Sequence, residues 1–208
     1  MKTIKITTLL LSLLLSFQTF ACETCGCSSK KNTHNHSENS INKDIDMSNS
    51  SVKWIGEKVT GSHEGTISIK EGHLHFDNNI FTGGNVVIDM STIECTDLVG
   101  EPKSNIEGHL SSDDFFGIKK YPTANLEIVN ADKIKYSKNK YKVSAILEIK
   151  SIKNNIELEV VIDNGSAVVD FVIDRTLYNI KYGSGSFFDN LGDKMIYDDF
   201  KLSVSLKY

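Results

Sequence analysis

From Val52 onward, large apolar residues alternate with polar ones in short runs, and Gly, Asn and Asp break the runs at fairly regular intervals. A period of two sends successive side chains to opposite faces of an extended chain, so this stretch predicts strands with one apolar face each. Ile67 and Ile69 share a face, Glu71-Gly72 reads as a turn, and Leu74 and Phe76 resume that face; Val86, Ile88 and Met90 repeat it after Gly83-Gly84. Later runs cover 124–129, 142–149, 156–162, 166–173 and 200–206, with turns at 137–140, 153–155 and Asn164-Gly165. The sum is about eight strands, an all-β chain that suits a closed antiparallel barrel. In a barrel of that size the inward residues either fill the centre or line one ligand cavity. Inward Ile67, Ile69, Leu74, Phe76, Ile88 and Phe171 would make such a cavity apolar and suited to a lipid tail. Alternation alone leaves the filled core equally open.

The segment 108–123, GHLSSDDFFGIKKYPT, interrupts the alternation. It predicts a short helical piece over 111–119, capped by Ser112 or Asp113 and ended by Tyr121-Pro122. His109, Asp113 and Asp114 are polar groups suited to orienting the head of a ligand, with Phe115 and Phe116 packing on its body. The alternative is an acid-capped turn whose two Phe belong to the core. No glycine-rich phosphate loop, GxSxG or HExxH occurs in the chain.

Residues 1–21 combine Lys2 and Lys5 with a Leu-rich run from Leu9 to Phe20, too short for the ~20 residues of a membrane span, and read as a secretory signal peptide. Thr19 and Ala21 sit at −3 and −1 of a cut before Cys22. That placement raises lipidation of Cys22 and a tether to a bacterial membrane, although Thr19 stands where lipoprotein signals usually carry Leu. Residues 22–51 are rich in Ser, Asn, Lys and His and read as a flexible tether. Within it Cys25, Cys27, His34 and His36 are soft-metal ligand types, but their CxC and HxH spacing matches no common zinc-finger pattern.

Residues 52–208 leave roughly 155 residues, the size of one domain. The net charge of −4, with acids and lysines spread along the chain, argues against nucleic acid as a partner. Cys95 is the only cysteine after residue 51, so no disulfide framework holds the domain and its stability must come from the core.

Five motifs in fixed order then carry a resemblance: WIGEKVTGSH at 54–63, GNVVIDMSTI at 84–93, GHLSSDDFF at 108–116, KYPTA at 120–124 and IDRTLYNIKYGSGSFFDNL at 173–191. Together they resemble the YceI-like, polyisoprenoid-binding family of bacterial periplasmic proteins, over nearly all of 52–208. The resemblance implies an extended lipocalin-like antiparallel barrel whose pore holds an isoprenoid quinone or similar long-chain amphiphile as ligand, with no other cofactor. It also implies a binding protein rather than an enzyme, exported to the periplasm or lipid-anchored, and is compatible with a homodimer through exposed barrel edges or the strand at 200–206. On the motifs, His63, His109, Asp113 and Arg175 are carried over as polar positions near a ligand head; Arg175 reads equally as an ion-pair partner of Asp174 or Asp189. One departure is the hairpin after Ile149, where the family's Gly and Pro are replaced by Ser151 and Asn155, which predicts a looser turn.

Two rival functions remain open. A lipid-acting enzyme would use His63 or His109 as general base with Asp113 or Asp114 orienting it, although Cys95 has no His near it in sequence. A metal-handling protein would use the tether cluster, or His73 and His75, which share the strand face opposite Leu74 and Phe76.

Overall fold

The computed structural model describes residues 40–208. The segment expected to be a signal peptide, Cys22 and the Cys25, Cys27, His34, His36 cluster lie outside the described residues.

Eight strands close a barrel: β2 (Ser51–Lys58), β3 (Gly61–Asp77), β4 (Ile80–Cys95), β5 (Thr123–Lys133), β6 (Lys140–Ile149), β7 (Ile152–Asp163), β8 (Ser166–Asp174) and β9 (Ile196–Lys207). Each pairs antiparallel with its neighbours in chain order, and β9 returns to β2 to shut the sheet. A ninth strand, β1 (Ser40–Asp44), pairs with the far half of β3, where Ser40 faces Asp77 and Asp44 faces His73. The flexible segment expected to reach residue 51 therefore gives way to ordered chain by Ser40. The cause is Ile45, buried in the core and tied through its N–H to the Gly72 carbonyl, with Asp46 capping a short turn at Met47–Asn49.

Three expected turns are strand interior. β3 runs straight through Glu71-Gly72, and a register shift against β4 between Ile69 and Glu71 does what a turn was expected to do. One extra residue reverses which face the later residues present. Odd-numbered Ile69 and even-numbered Leu74 and Phe76 are thus all buried. β4 likewise passes through Gly83-Gly84; the real turn is Asn78-Asn79, both left-handed at φ 51° and 64°, as a two-residue hairpin requires. A Cβ on Gly84 would lie 2.4 Å from the His73 carbonyl, so glycine there permits close strand approach.

Residues 153–155 belong to β7, and the preceding hairpin is tight rather than loose. Ile149 pairs with Ile152 across Lys150-Ser151, both left-handed at φ 52° and 61°.

The helix also falls elsewhere than expected. α1 covers Glu101–Ser111, with Pro102 in its first turn, and 112–120 is a chain of turns. Proline at the start of a helix forfeits only an N–H that has no helical partner anyway, so Pro102 opens this helix where a proline usually suggests a break. Two apolar clusters fill the molecule, one around Leu74, Phe81 and Val143, the other around Trp54, Cys95, Phe115 and Tyr178 beneath α1.

Candidate functional site: the barrel interior

Inward side chains leave two adjoining cavities. The first, bounded by Trp54, Met90, Phe115, Phe116 and Phe200, holds about 850 Å3 between its wall atoms, its open part included. The second, bounded by Leu74, Phe81, Val143 and Phe171, holds about 770 Å3 on the same measure. Their free volumes are about 140 and 100 Å3. A single water needs roughly 10–15 Å3, so the barrel is not a filled core. Val52, Ile88, Ala124, Leu147 and Leu202 line both cavities and form the ring where they meet.

The walls are apolar. Among the described residues, Arg175 and Asp199 are the only charged ones around the first cavity, and Asn125 is the only polar one around the second. Phe81, in the wall of the second, is backed by Phe76 and Tyr141 at ring separations of 5.7 and 5.6 Å, and Tyr208 stacks on Phe76 at 5.2 Å. At the other end the first cavity reaches the exposed Tyr197.

Ile67, Ile88, Phe115, Phe116 and Arg175 line the first cavity, and Leu74, Ile88 and Phe171 the second. Ile69 and Phe76 are buried in the core but line neither. Met90, placed with Ile88 on the apolar face by its alternation, is also in this wall, and Trp54, Phe200 and Leu202 are wall residues not singled out from the sequence, though each lies in a run whose alternation signals it. Trp54 is held by a 3.3 Å hydrogen bond from its indole N–H to the Thr66 carbonyl.

Of the four polar motif positions, Arg175 alone lines a cavity. Arg175 is buried, and its guanidinium donates to three backbone carbonyls: Ile180 at 2.8 Å, Ile196 at 3.0 Å and Tyr197 at 3.1 Å. Its acidic partner is Asp198 at 3.3 Å, in place of the expected Asp174 or Asp189. Asp174 instead caps the turn Arg175–Tyr178 by accepting from the N–H and hydroxyl of Thr176. Arg175 therefore ties the end of β8 to the loop at Ile180 and the start of β9. A charge this deep requires such a set of partners.

His109 lies in the last turn of α1 and behind Phe115 rather than in the wall, its ring edge-on to Phe115 at 5.4 Å and Tyr182 at 4.3 Å. Burial pushes its pKa below the usual value, Asp114 opposes that, and Arg175 adds to it; Nε2 is buried with no hydrogen-bond partner among the described residues. Asp113 lines neither cavity; its carbonyl accepts from Lys150. His63 is likewise outside the wall. Its Nδ1 lies 2.9 Å from Asp97 Oδ2, so the acid beside it is Asp97 and not Asp113 or Asp114. The Cys95 thiol donates to Asp97 Oδ1 at 3.1 Å, which brings His63 and Cys95 together despite their separation in sequence. His73 and His75 sit edge-on at 4.7 Å, with His75 Nδ1 facing Asn42 Oδ1; they gather no third ligand type among the described residues. The strand at 200–206 is flanked by β2 and β8, so it offers no free edge for dimer pairing.

A closed antiparallel barrel with an apolar interior and one capping helix defines a lipocalin-like architecture. The family model of the YceI-like domain matches residues 44–208, and the chain belongs to that family. Among solved structures it is similar to BcnA of Burkholderia cenocepacia, with a TM-score of 0.61 and 19% identity over 78% of this chain and 98% of that one. A polyisoprenoid binding domain from Saccharophagus degradans implicated in plant cell wall breakdown gives 0.56 and 15%, over 78% and 95%. A Campylobacter jejuni YceI protein gives 0.50 and 19%, over 74% and 82%. At these identities the likeness speaks for the fold. No curated protein matches the chain.

Proposed function

We propose that this protein is a carrier that sequesters a long-chain hydrophobic molecule, of the polyisoprenoid or isoprenoid-quinone type, along the axis of its barrel. The observation that carries this reading is the pair of adjoining cavities, apolar through a shared ring, with the buried cation in their wall, Arg175, already committed to backbone carbonyls. A linear tail suits that space better than a compact ligand. Each buried methylene contributes about 0.8 kcal/mol, so tail burial alone can supply the affinity. The Saccharophagus degradans relative, described as a polyisoprenoid binding domain, supports the ligand class.

In this reading the protein binds rather than catalyses: among the described residues no His–Asp pair faces the cavities, and the His63–Asp97 pair lies outside their walls. The sequence of residues 1–22 supports export, with the protein secreted or held at a membrane through a lipidated Cys22. Comparing native and Cys22→Ala chains by membrane fractionation and intact mass tests the anchor.

Gentle purification of the full chain, intact mass spectrometry in native buffer and solvent extraction test the ligand. A stoichiometric long-chain isoprenoid or quinone is the expected result. A protein that is empty as isolated and takes up no added ubiquinone or long-chain prenol would overturn the reading.

A further inference from the structure

We propose that His63, Cys95 and Asp97 form a binding site for one borderline-soft divalent cation of the zinc type, separate from the barrel interior. The imidazole, thiol and carboxylate ligand atoms lie within 4.8 Å of one another, and no other such group of three occurs among the described residues. The barrel itself builds the cluster. Gly65 pairs with Cys95 across the β3–β4 ladder, which sets His63 at the start of β3 beside the segment leaving β4. The N–H of Thr96 bonds the Glu64 carbonyl and the N–H of Glu64 bonds Asp97 Oδ1, so that segment is folded back over His63.

The carboxylate of Asp97 stands between the other two groups, one oxygen 2.9 Å from the His63 ring and the other 3.1 Å from the Cys95 sulfur. This order is wrong for a nucleophile, because the imidazole does not sit on the thiol to take its proton. It is right for a cation, which would take the place of the hydrogens now bridging sulfur, oxygen and nitrogen. From ordinary zinc bond lengths, ligand atoms in a tetrahedral site lie about 3.3–3.6 Å apart, so the 2.9 and 3.1 Å contacts would open slightly and the widest separation, within 4.8 Å, would close by about 1 Å.

The ligand types select the metal. One nitrogen, one sulfur and one oxygen suit zinc-like ions and do not suit calcium or magnesium, which take oxygen alone. Thiolate and carboxylate together neutralise a divalent ion, as a half-buried site needs. Cys95 is fully buried, whereas the side chains of His63 and Asp97 keep 29% and 28% of their exposure, which leaves an approach and a fourth position for water. A second layer fixes the ligands: Glu107 of α1 accepts from the Cys95 N–H at 2.9 Å, and Lys103 bridges Glu107 and Glu94. On binding, the Cys95 S–H bond breaks and its proton leaves to solvent, the hydrogen on His63 Nδ1 passes through water exchange to Nε2, and bonds from sulfur, Nδ1 and a carboxylate oxygen to the metal form with no change of oxidation state.

The test is made on the full chain carrying Cys22→Ser, Cys25→Ser and Cys27→Ser, so that Cys95 is the only thiol of the four. Added Co2+ should produce a sulfur-to-cobalt charge-transfer band that Zn2+ abolishes at one equivalent, and His63→Ala or Asp97→Ala should weaken Co2+ binding at least tenfold. Far-UV circular dichroism confirms that each variant keeps its strands. A folded chain showing no such band in excess Co2+ overturns the proposal. So does a band that survives His63→Ala and Asp97→Ala together, since the thiol alone would then explain it. Either failure leaves the carrier reading intact.

Discussion

The ammonium of Lys150 donates to the backbone carbonyl of Phe115 at 2.6 Å and also reaches the carbonyl of Asp113 at 3.2 Å. A residue in a β6–β7 hairpin thereby secures the turn that sets Phe115 against the first cavity. Hydrogen bonds from charged donors are worth about 1.5–3 kcal/mol, so Lys150→Met should lower stability by about that much. Urea denaturation gives the loss. Uptake of a fluorescent prenol should weaken in parallel, because Phe115 loses its support.

The same hairpin holds Lys150 and Ser151 in left-handed backbone, a conformation costing most residues roughly 1–2 kcal/mol. Glycine adopts it freely. Ser151→Gly should therefore raise the urea midpoint by an amount worth about 0.5–1 kcal/mol, with ligand uptake unchanged.

Arg175 offers the sharpest separation of structural from ligand-contacting roles. Removing its guanidinium takes this donor from the carbonyls of Ile180, Ile196 and Tyr197 and leaves the carboxylate of Asp198 with its hydrogen bond from the Ser186 hydroxyl. Arg175→Met should cost about 3–5 kcal/mol, the range for breaking a buried charge set. Whatever fraction remains folded at low temperature should still bind prenol. Full stability with lost binding would make Arg175 a head-group contact instead.

Ala124 is the smallest side chain in the ring shared by the two cavities. Ala124→Phe should close the passage there. The variant should keep its affinity for short prenols that fit the first cavity and lose affinity for long ones, a divergence readable by competition across a chain-length series.

Asp97 sets an acid limit. Burial alone would raise its carboxyl pKa, but hydrogen bonds from the Cys95 thiol, the His63 ring and the Glu64 N–H, with the charge of His63, hold it at about 2 against an ordinary 3.8. A depressed carboxyl pKa stabilises the fold above the unfolded value, and that contribution disappears as pH falls from about 4 to about 2. The urea midpoint should fall across that window in the native chain, and Asp97→Asn should flatten that part of the profile.

The strands were legible because alternation is a local signal, and so were the apolar walls built from Ile67, Ile88 and Phe171. The reversal of face within β3 was not, because it depends on how β4 registers against Ile69 and Glu71. A turn and a bulge produce the same parity change in one dimension. α1 was hidden by Pro102, which reads as a breaker until the helix start is known to fall beside it.

The polar positions were legible by residue type and not by partner. His63 meets Asp97 across 34 residues, and Arg175 meets Asp198 across 23. Such pairings follow from ladder register and loop return, neither of which leaves a mark in nearby sequence. β1 escaped notice because none of its own residues is buried and only Ile45, just past its end, enters the core from a largely polar stretch.

Closure of the sheet onto itself also bears on how the molecule behaves in a crowd. Among the described residues β1 alone has no neighbouring strand at all on one side, and it is only five residues long and carries Lys43 and Asp44. Short, charged margins are poor templates for adding another chain. The thinner part of the closure is the seam between β7 and β8, whose ladder spans only 161–163 against 166–168 and leaves 152–160 without a β8 partner.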